Sequence, residues 1–267
     1  MPPLPTVLRE LADLVLPVTC AGCGAPGRAL CARCLRRWSG PPLRCEHVAG
    51  RLDRMDGTVL PVAALAVNTG PVRRAVGAWK DGGRADVTPW FAAVAARAAP
   101  GVVAAGAVGV GVGVGAVAGA TAGRVPLLVV PAPPSPLGLA QRGEDLVARV
   151  ARGLADGLAD GLAAGRPVVV EPALRLAGRG RDQVGLGVRG RAANLAGRLR
   201  ARPRSRPVLA GSDVLLVDDV LTTGATLAAC RSALEAVGAR PVGAVVLAVT
   251  PPPGAPGAWL EPAANPG

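Results

Sequence analysis

Tyrosine is absent from the 267-residue chain, phenylalanine occurs once and tryptophan four times. A core must therefore be filled by Ala, Val, Leu and Gly, through many small contacts instead of a few large rings. The same shortage removes the aromatic surface on which dedicated single-strand binders stack bases. Lysine occurs once, as Lys80 in Ala-Trp-Lys-Asp. A P-loop requires GxxxxGK[ST], so an ordinary P-loop ATPase is excluded. Acidic residues are also scarce: 18 Asp and Glu stand against 30 Lys and Arg, a formal charge of +12. That balance points to polyanionic or phosphorylated partners and is silent on the fold.

No secretory signal is expected either. Residues 4–16 look amphipathic, and Glu10 and Asp13 fall where a secretory signal needs an uncharged apolar stretch. Gly101–Gly123 carries no charge and is the one candidate membrane span. Its Gly-Val units between Gly109 and Gly115 argue against a helix, since each interior Gly costs roughly 1 kcal/mol relative to Ala. The expectation is a low-complexity insert at 101–123, dispensable for folding, in a cytoplasmic protein with no membrane span. Gly113–Ala118 formally fits GxGxxA, but no strand precedes it and the next acidic residue is Glu144. It is not a dinucleotide fingerprint.

What is present falls into two parts. Residues 1–57 are cysteine-rich, and residues 58–250 alternate apolar strand and helix patterns, enough for one α/β domain. Leu60–Val67, Pro126–Val130, Val168–Val170, Val214–Val217 and Val242–Val249 read as buried strands. Helices are expected up to Trp79, over Val87–Ala99, over Glu144–Ala164 and over Thr226–Val237. The third contains a Gly-Leu-Ala-Asp repeat at 153–156 and 157–160. Strands separated by helices predict a doubly wound parallel sheet. Pro, Ala and Gly dominate 251–267, which reads as a disordered tail. Ten arginines against the single Asp182 lie between Arg175 and Arg206, either as a solvated loop or as an anion site.

Cys20-Ala-Gly-Cys23 and Cys31-Ala-Arg-Cys34 are two CxxC knuckles. Such pairs bring four thiolates onto one ion in the tetrahedral geometry of structural zinc, with no position left open for catalysis. In a cytosolic protein, cysteines at this spacing bind metal more readily than they form disulfides. Cys45 and His47 make an incomplete set, and Cys230 reads as core packing.

The most informative stretch is Val214-Leu-Leu-Val-Asp-Asp-Val-Leu-Thr-Thr-Gly-Ala-Thr226. A buried strand delivers Asp218 and Asp219 at its carboxyl end, where open α/β sheets bind ligands. Thr222, Thr223, Gly224, Ala225 and Thr226 then turn into a helix. Backbone N–H groups at such a start cradle an anion, and threonine hydroxyls add donors. Carboxylates facing a phosphate would repel it, so the aspartates should accept hydrogen bonds from sugar hydroxyls. A sugar phosphate is the ligand class implied.

On these residues the loop resembles the signature of type I phosphoribosyltransferases. From Leu8 to about Thr250 the chain resembles the competence protein F (ComF) family, which joins a cysteine-rich zinc domain to a phosphoribosyltransferase domain. The matching pieces run in order: the two knuckles, Gly70-Pro-Val-Arg-Arg, Lys80-Asp-Gly-Gly-Arg84, Val130-Pro-Ala-Pro, Arg142-Gly143, Gln183-Val-Gly-Leu186 with Arg191 and Asn194, and the loop. Glu144-Asp145 replaces the aromatic and Asn usual after Arg-Gly. The resemblance implies a sheet of the type I phosphoribosyltransferase kind behind a small zinc domain, and binding of phosphoribosyl pyrophosphate with Mg²⁺. It makes Arg73, Lys80, Arg142 and Arg191 candidate pyrophosphate or hood contacts. It further implies partners in the uptake machinery and single-stranded DNA, either for an active transferase or for a non-catalytic phosphoribose- or nucleic-acid-binding relative. The acceptor base is not legible.

Overall fold

The structure is a computed structural model and describes residues 18–108, 126–161, 166–177, 197–252 and 254. Eight strands are described: β1 Leu43–Arg44, β2 Val62–Ala64, β3 Leu127–Pro131, β4 Val168–Val170, β5 Leu174–Leu176, β6 Leu199–Ala201, β7 Asp213–Leu221 and β8 Arg240–Val249. The helices are α1 Ala32–Leu35, α2 Gly70–Lys80, α3 Thr88–Ala104, α4 Pro136–Arg142, α5 Leu146–Gly161, α6 Arg206–Leu209 and α7 Ala225–Glu235. One six-stranded sheet runs β1-β2-β8-β7-β3-β4, and β5 and β6 form a separate antiparallel pair. Every neighbouring pair in the large sheet is parallel except β1–β2. The fold is mixed α/β with a mostly parallel central sheet, as the alternation of patterns predicts.

Alternation along each strand sorts side chains between two cores. Leu127, Val129, Leu215, Val217, Val245 and Leu247 face a cluster with α2, α3, α5 and the cysteine segment. Leu128, Val130, Leu216 and Val246 face a second cluster with α7 and the β5–β6 pair. The helix after β3 thus covers one face and the helix after β7 the other. Their divergence opens a crevice at the carboxyl ends of β3 and β7, where the winding reverses.

Three expectations need correction. The helix starting at Thr88 does not stop before Pro100 but continues to Ala104. Residues 101–108 are folded, with Val102, Ala107 and Val108 fully buried, so the segment 101–123 is not wholly an insert. Gly243 on β8 packs so closely on the Ala107 carbonyl that a Cβ would stand 1.7 Å from its oxygen. Residues 109–123 lie outside the described residues, as does most of the 251–267 tail. Second, β7 runs through both aspartates to Leu221 instead of ending at Val217. Its ladder with β8 continues through Val220 and Leu221, which holds the turn on a rigid rail. Third, the boundary at residue 57 does not keep the cysteine-rich part out of the second core. β1 pairs with β2, and Cys45, Ala49 and Leu52 belong to the second core. The Arg44 guanidinium also donates to the Ala105 carbonyl at 2.9 Å.

Pro100 removes the amide that would bond the Ala96 carbonyl. The Gly-Leu-Ala-Asp repeat of α5 packs against this part of α3. Gly153 and Gly157, one turn apart, lie against Ala92 and Ala96, and a Cβ on either would stand 2.2 Å from the facing carbonyl oxygen. The repeat is therefore a groove that seats α3 on α5. Ala85–Ala104 is long and apolar enough to cross a membrane by composition, with mean hydropathy 1.2. Here its Phe91, Val94, Ala95, Ala99 and Val102 are buried within the fold.

Gly157→Ala should lower stability by roughly 1–3 kcal/mol through overpacking. Gly77→Ala, on α2 with open space at its Cβ, should raise it by roughly 0.5–1 kcal/mol. Urea unfolding of both variants checks this, and a neutral Gly157→Ala would remove the close α3–α5 contact.

Candidate functional site

The crevice holds a cleft of about 380 Å³. Asp218, Asp219, Thr222 and Thr226 line one wall, Ala132–Ser135 and Arg142–Val147 include the other, and Trp79, Lys80 and Asp81 close one end. Leu176 of the β5–β6 pair reaches in from above. A recess of about 60 Å³ continues beneath it, lined by Thr222–Leu227 together with Asp218.

The recess follows from local sequence. After Leu221, Gly224 adopts φ +78°, a left-handed turn that a side chain disfavours, and α7 begins at Ala225. A Cβ on Gly224 would also strike Leu52 and Ala49, at 2.9 and 3.0 Å. The Arg51 amide donates to the Thr223 carbonyl at 3.2 Å, so the cysteine-rich part buttresses the turn from behind. The N–H groups at the start of the eleven-residue α7 face an anion-sized space between threonine hydroxyls.

Adjacent carboxylates on one strand point to opposite faces. Asp218 turns toward α7 and Asp219 toward α2, and both are buried, at 9 % and 7 % exposure. The Asp219 amide donates to Asp218 Oδ1 at 2.9 Å, and the Val220 amide to Asp219 Oδ1 at 2.7 Å. Lys80 Nζ lies 2.6 Å from Asp219 Oδ2, with its side chain 49 % exposed toward the cleft. Burial disfavours the Lys80 charge, but Asp219 and then Asp218 outweigh it and hold the ammonium above its ordinary range. Asp218 is raised to about 7 by burial first and by Asp219 second, with Lys80 and the Asp219 amide pulling the other way. The single lysine thus serves the carboxylate pair.

Arg142 closes the opposite side. Its guanidinium donates to the Lys80 carbonyl at 2.8 Å, while its Nε is buried with no partner. Asp145, a departure from the family pattern, lines the cleft, and burial raises its carboxyl above the usual range. It also caps α5, accepting from the Ala148 amide at 3.0 Å. An Asp directly before an apolar helical run was the available signal. Ser135 likewise caps α4 through the Gly138 amide at 3.0 Å. The structure gathers Asp218, Asp219, Thr222–Thr226, Lys80 and Arg142 at one place. Arg73 is exposed on α2 two turns before Lys80, outside the cleft lining. Arg191 lies outside the described residues. Of the arginine-rich segment, Arg175 and Arg200 stand opposite each other in the β5–β6 pair, exposed on the face turned away from cleft-lining Leu176.

Residues 137–262 match the family model of the phosphoribosyl transferase domain. No curated protein matches the chain. The matched span holds the turn, both aspartates, Arg142 and Asp145. β3, which pairs with β7 along Leu127–Pro131, and the Lys80 helix come before it, so the site draws on residues either side of that boundary.

The four cysteines of the knuckles lie apart from the cleft. Their sulfurs stand within 4.8 Å of one another, and zinc with Zn–S near 2.3 Å sets tetrahedral sulfurs about 3.8 Å apart. Cys23 and Cys31 Sγ are separated by 3.6 Å, and the Cys31 amide donates to Cys20 Sγ at 3.3 Å. The donor set fits structural zinc with all four positions filled. Burial works to raise the Cys20 thiol, but the amides of Cys31, Cys23 and Gly22 overcome it and bring it to about 6. Cys45 is buried in the second core, its thiol pushed up to about 12 by burial.

Two outcomes are expected. The pure protein should carry one zinc per chain, which Cys20→Ser/Cys34→Ser should lose; elemental analysis reads both. The second concerns the raised carboxyl. Between about 4, where an unfolded Asp ionises, and about 7 for native Asp218, the folded state keeps a proton that the unfolded state has lost. Stability therefore falls as pH rises through this window. Ligand-free Asp218→Asn should melt several degrees above wild type at pH 8 and close to it at pH 4. A difference independent of pH would show that burial does not raise this group.

Proposed function

We propose that the chain binds phosphoribosyl pyrophosphate in this cleft and transfers its phosphoribosyl group to an acceptor that enters under the β5–β6 pair. The observation carrying the reading is the strand-to-helix turn with two buried carboxylates, lined together with Lys80, which is ion-paired to Asp219, and Arg142. The 5-phosphate would lie in the recess on the amides and hydroxyls of Thr222–Thr226. Asp218 and Asp219 would accept from the ribose hydroxyls. Such a site acts by positioning and by neutralising the leaving group, since the bond to pyrophosphate breaks with positive charge on the ribose and negative charge on the departing oxygens. Lys80 and Arg142 supply the balancing charge. Among the described residues no cluster of metal-binding side chains exists apart from the cysteines. Mg²⁺ would arrive on pyrophosphate oxygens and keep its waters, with the cleft aspartates as nearby protein carboxylates.

We further propose that the chain is a ComF-type protein of the cytosol. Support comes from the coexistence of the cysteine module with a domain of this kind. A role beside single-stranded DNA is favoured by Arg175, Arg200, Arg204 and Arg206, all exposed around the β5–β6 pair. With no aromatic surface there, contact would be electrostatic and lost at moderate salt.

Calorimetric titration tests the ligand. Wild type should bind phosphoribosyl pyrophosphate with Mg²⁺, and Asp218→Asn/Asp219→Asn should weaken it, at roughly 1.5–3 kcal/mol for each charge-assisted hydrogen bond lost. Release of pyrophosphate across a panel of bases then separates a transferase from a binding protein. Equal affinity in wild type and double variant would remove the aspartates from the site.

A further inference from the structure

The cysteine module touches the chain that carries Lys80 at both ends. Before it, Arg74 Nε on α2 donates to the Gly22 carbonyl at 2.7 Å. After it, Arg84 donates to the Thr19 carbonyl at 2.8 Å. Gly22 is the middle of the first knuckle, and Thr19 immediately precedes Cys20. The knuckle also leaves no slack, because a Cβ on Gly22 would stand 2.9 Å from Cys34 Sγ and 3.2 Å from the Pro71 carbonyl oxygen at the start of α2. Between the two arginines the chain makes a tight reversal. Asp81 and Gly82 amides both donate to the Gly77 carbonyl, Gly83 takes φ +69°, and the Arg84 amide reaches Ala78. Lys80 sits at the top of that reversal with its ammonium on Asp219.

An apolar link runs beside the polar one. Trp38, which follows the second knuckle, packs at a tilt against Phe91, with ring centroids 5.3 Å apart, and donates to the Leu247 carbonyl of β8 at 3.1 Å. Phe91 meets Trp79 edge-on at 5.2 Å, and Trp79 is bonded directly to Lys80 in the chain. A long, half-exposed lysine side chain has many rotamers, and holding it in one costs conformational entropy. Fixing its backbone from both sides leaves only this side-chain cost to be met when the ammonium is placed.

We infer that the cysteine knuckles are a positioning part of the site: through Arg74 and Arg84 they fix the reversal that presents Lys80 to the cleft. The inference rests on the phosphoribosyl reading above, and it assigns Arg74 and Arg84 to positioning, since neither lines the cleft. The four cysteines, with the zinc they would hold, set the knuckle backbone, whose carbonyls anchor the two arginines. The arginines in turn set where the lysine charge stands. The pyrophosphate end of a ligand depends on that charge, whereas the 5-phosphate end depends on the Thr222–Thr226 turn.

Two probes separate the ends: phosphoribosyl pyrophosphate with Mg²⁺, and ribose 5-phosphate, which lacks the pyrophosphate. Arg74→Met/Arg84→Met in the full chain with zinc retained should weaken the first about tenfold, the low end for one displaced charge-assisted contact, and leave the second unchanged. Arg74→Lys/Arg84→Lys, which keeps a donor at each carbonyl, should recover part of the loss. Lys80→Met should weaken the first probe by a similar factor, and adding the two Met substitutions to it should bring little further loss. Full affinity in the zinc-bound Met variant, equal loss on both probes, or losses that add to that of Lys80→Met would overturn the inference. Should the double variant fail to fold, Arg74→Met and Arg84→Met are read singly by the same criteria. A wild-type chain that binds neither probe would instead overturn the phosphoribosyl reading itself.

Discussion

Two carboxylates adjacent in sequence cannot both be charged in one dry pocket without a large electrostatic cost. The pleat of β7 resolves this by sending Asp218 and Asp219 to opposite faces of the sheet. Each then meets its own surroundings. Asp219 meets Lys80 from the α2 side, and Asp218 sinks beneath α7, where burial holds a proton on it to higher pH. Much of the site can be read as accommodation of that pair. The strand must run on past Val217 to keep the alternation, the turn must be made by Gly224, and the only lysine must come from a helix on the correct face.

Scarcity of aromatic residues shapes the rest. Of the five rings in the chain, Trp38, Phe91 and Trp79 form one continuous series. It joins the cysteine module to α3 and to α2 inside a core otherwise built from Val, Leu and Ala. Where side chains are small, elements must approach closely to exclude water. Gly153, Gly157 and Gly243 permit that approach, and the Gly-Leu-Ala-Asp repeat is its visible trace.

Much of this was legible from residue patterns. The β7 run, the turn and the CxxC pairs have periods and spacings that local geometry dictates, so strand order aside their structures follow from the chain alone. Val168–Val170 was bounded correctly because a short apolar run stood between polar neighbours. The extension of α3 past Pro100 was hidden because Pro normally ends a helix, and what supports the continuation is packing on α5, more than forty residues away in sequence. β1, β5 and β6 are two or three residues long, too short for alternation to register. Asp145 escaped because a cap and a cleft-lining carboxylate look the same in sequence. The partnership of Lys80 with Asp219 spans most of the chain and leaves no local mark.

β1 is only Leu43–Arg44, yet it occupies the outer edge of β2 and brings Ala49 and Leu52 down onto Gly224. An uncovered edge offers unpaired amides and carbonyls to any passing strand. Cutting the chain after residue 57 to isolate the larger part would expose β2 along that edge and strip the backing from the turn at once. The product would be a template for self-association with a loosened anion cradle. The two parts told apart by composition are, for expression or for fusion to another protein, a single unit.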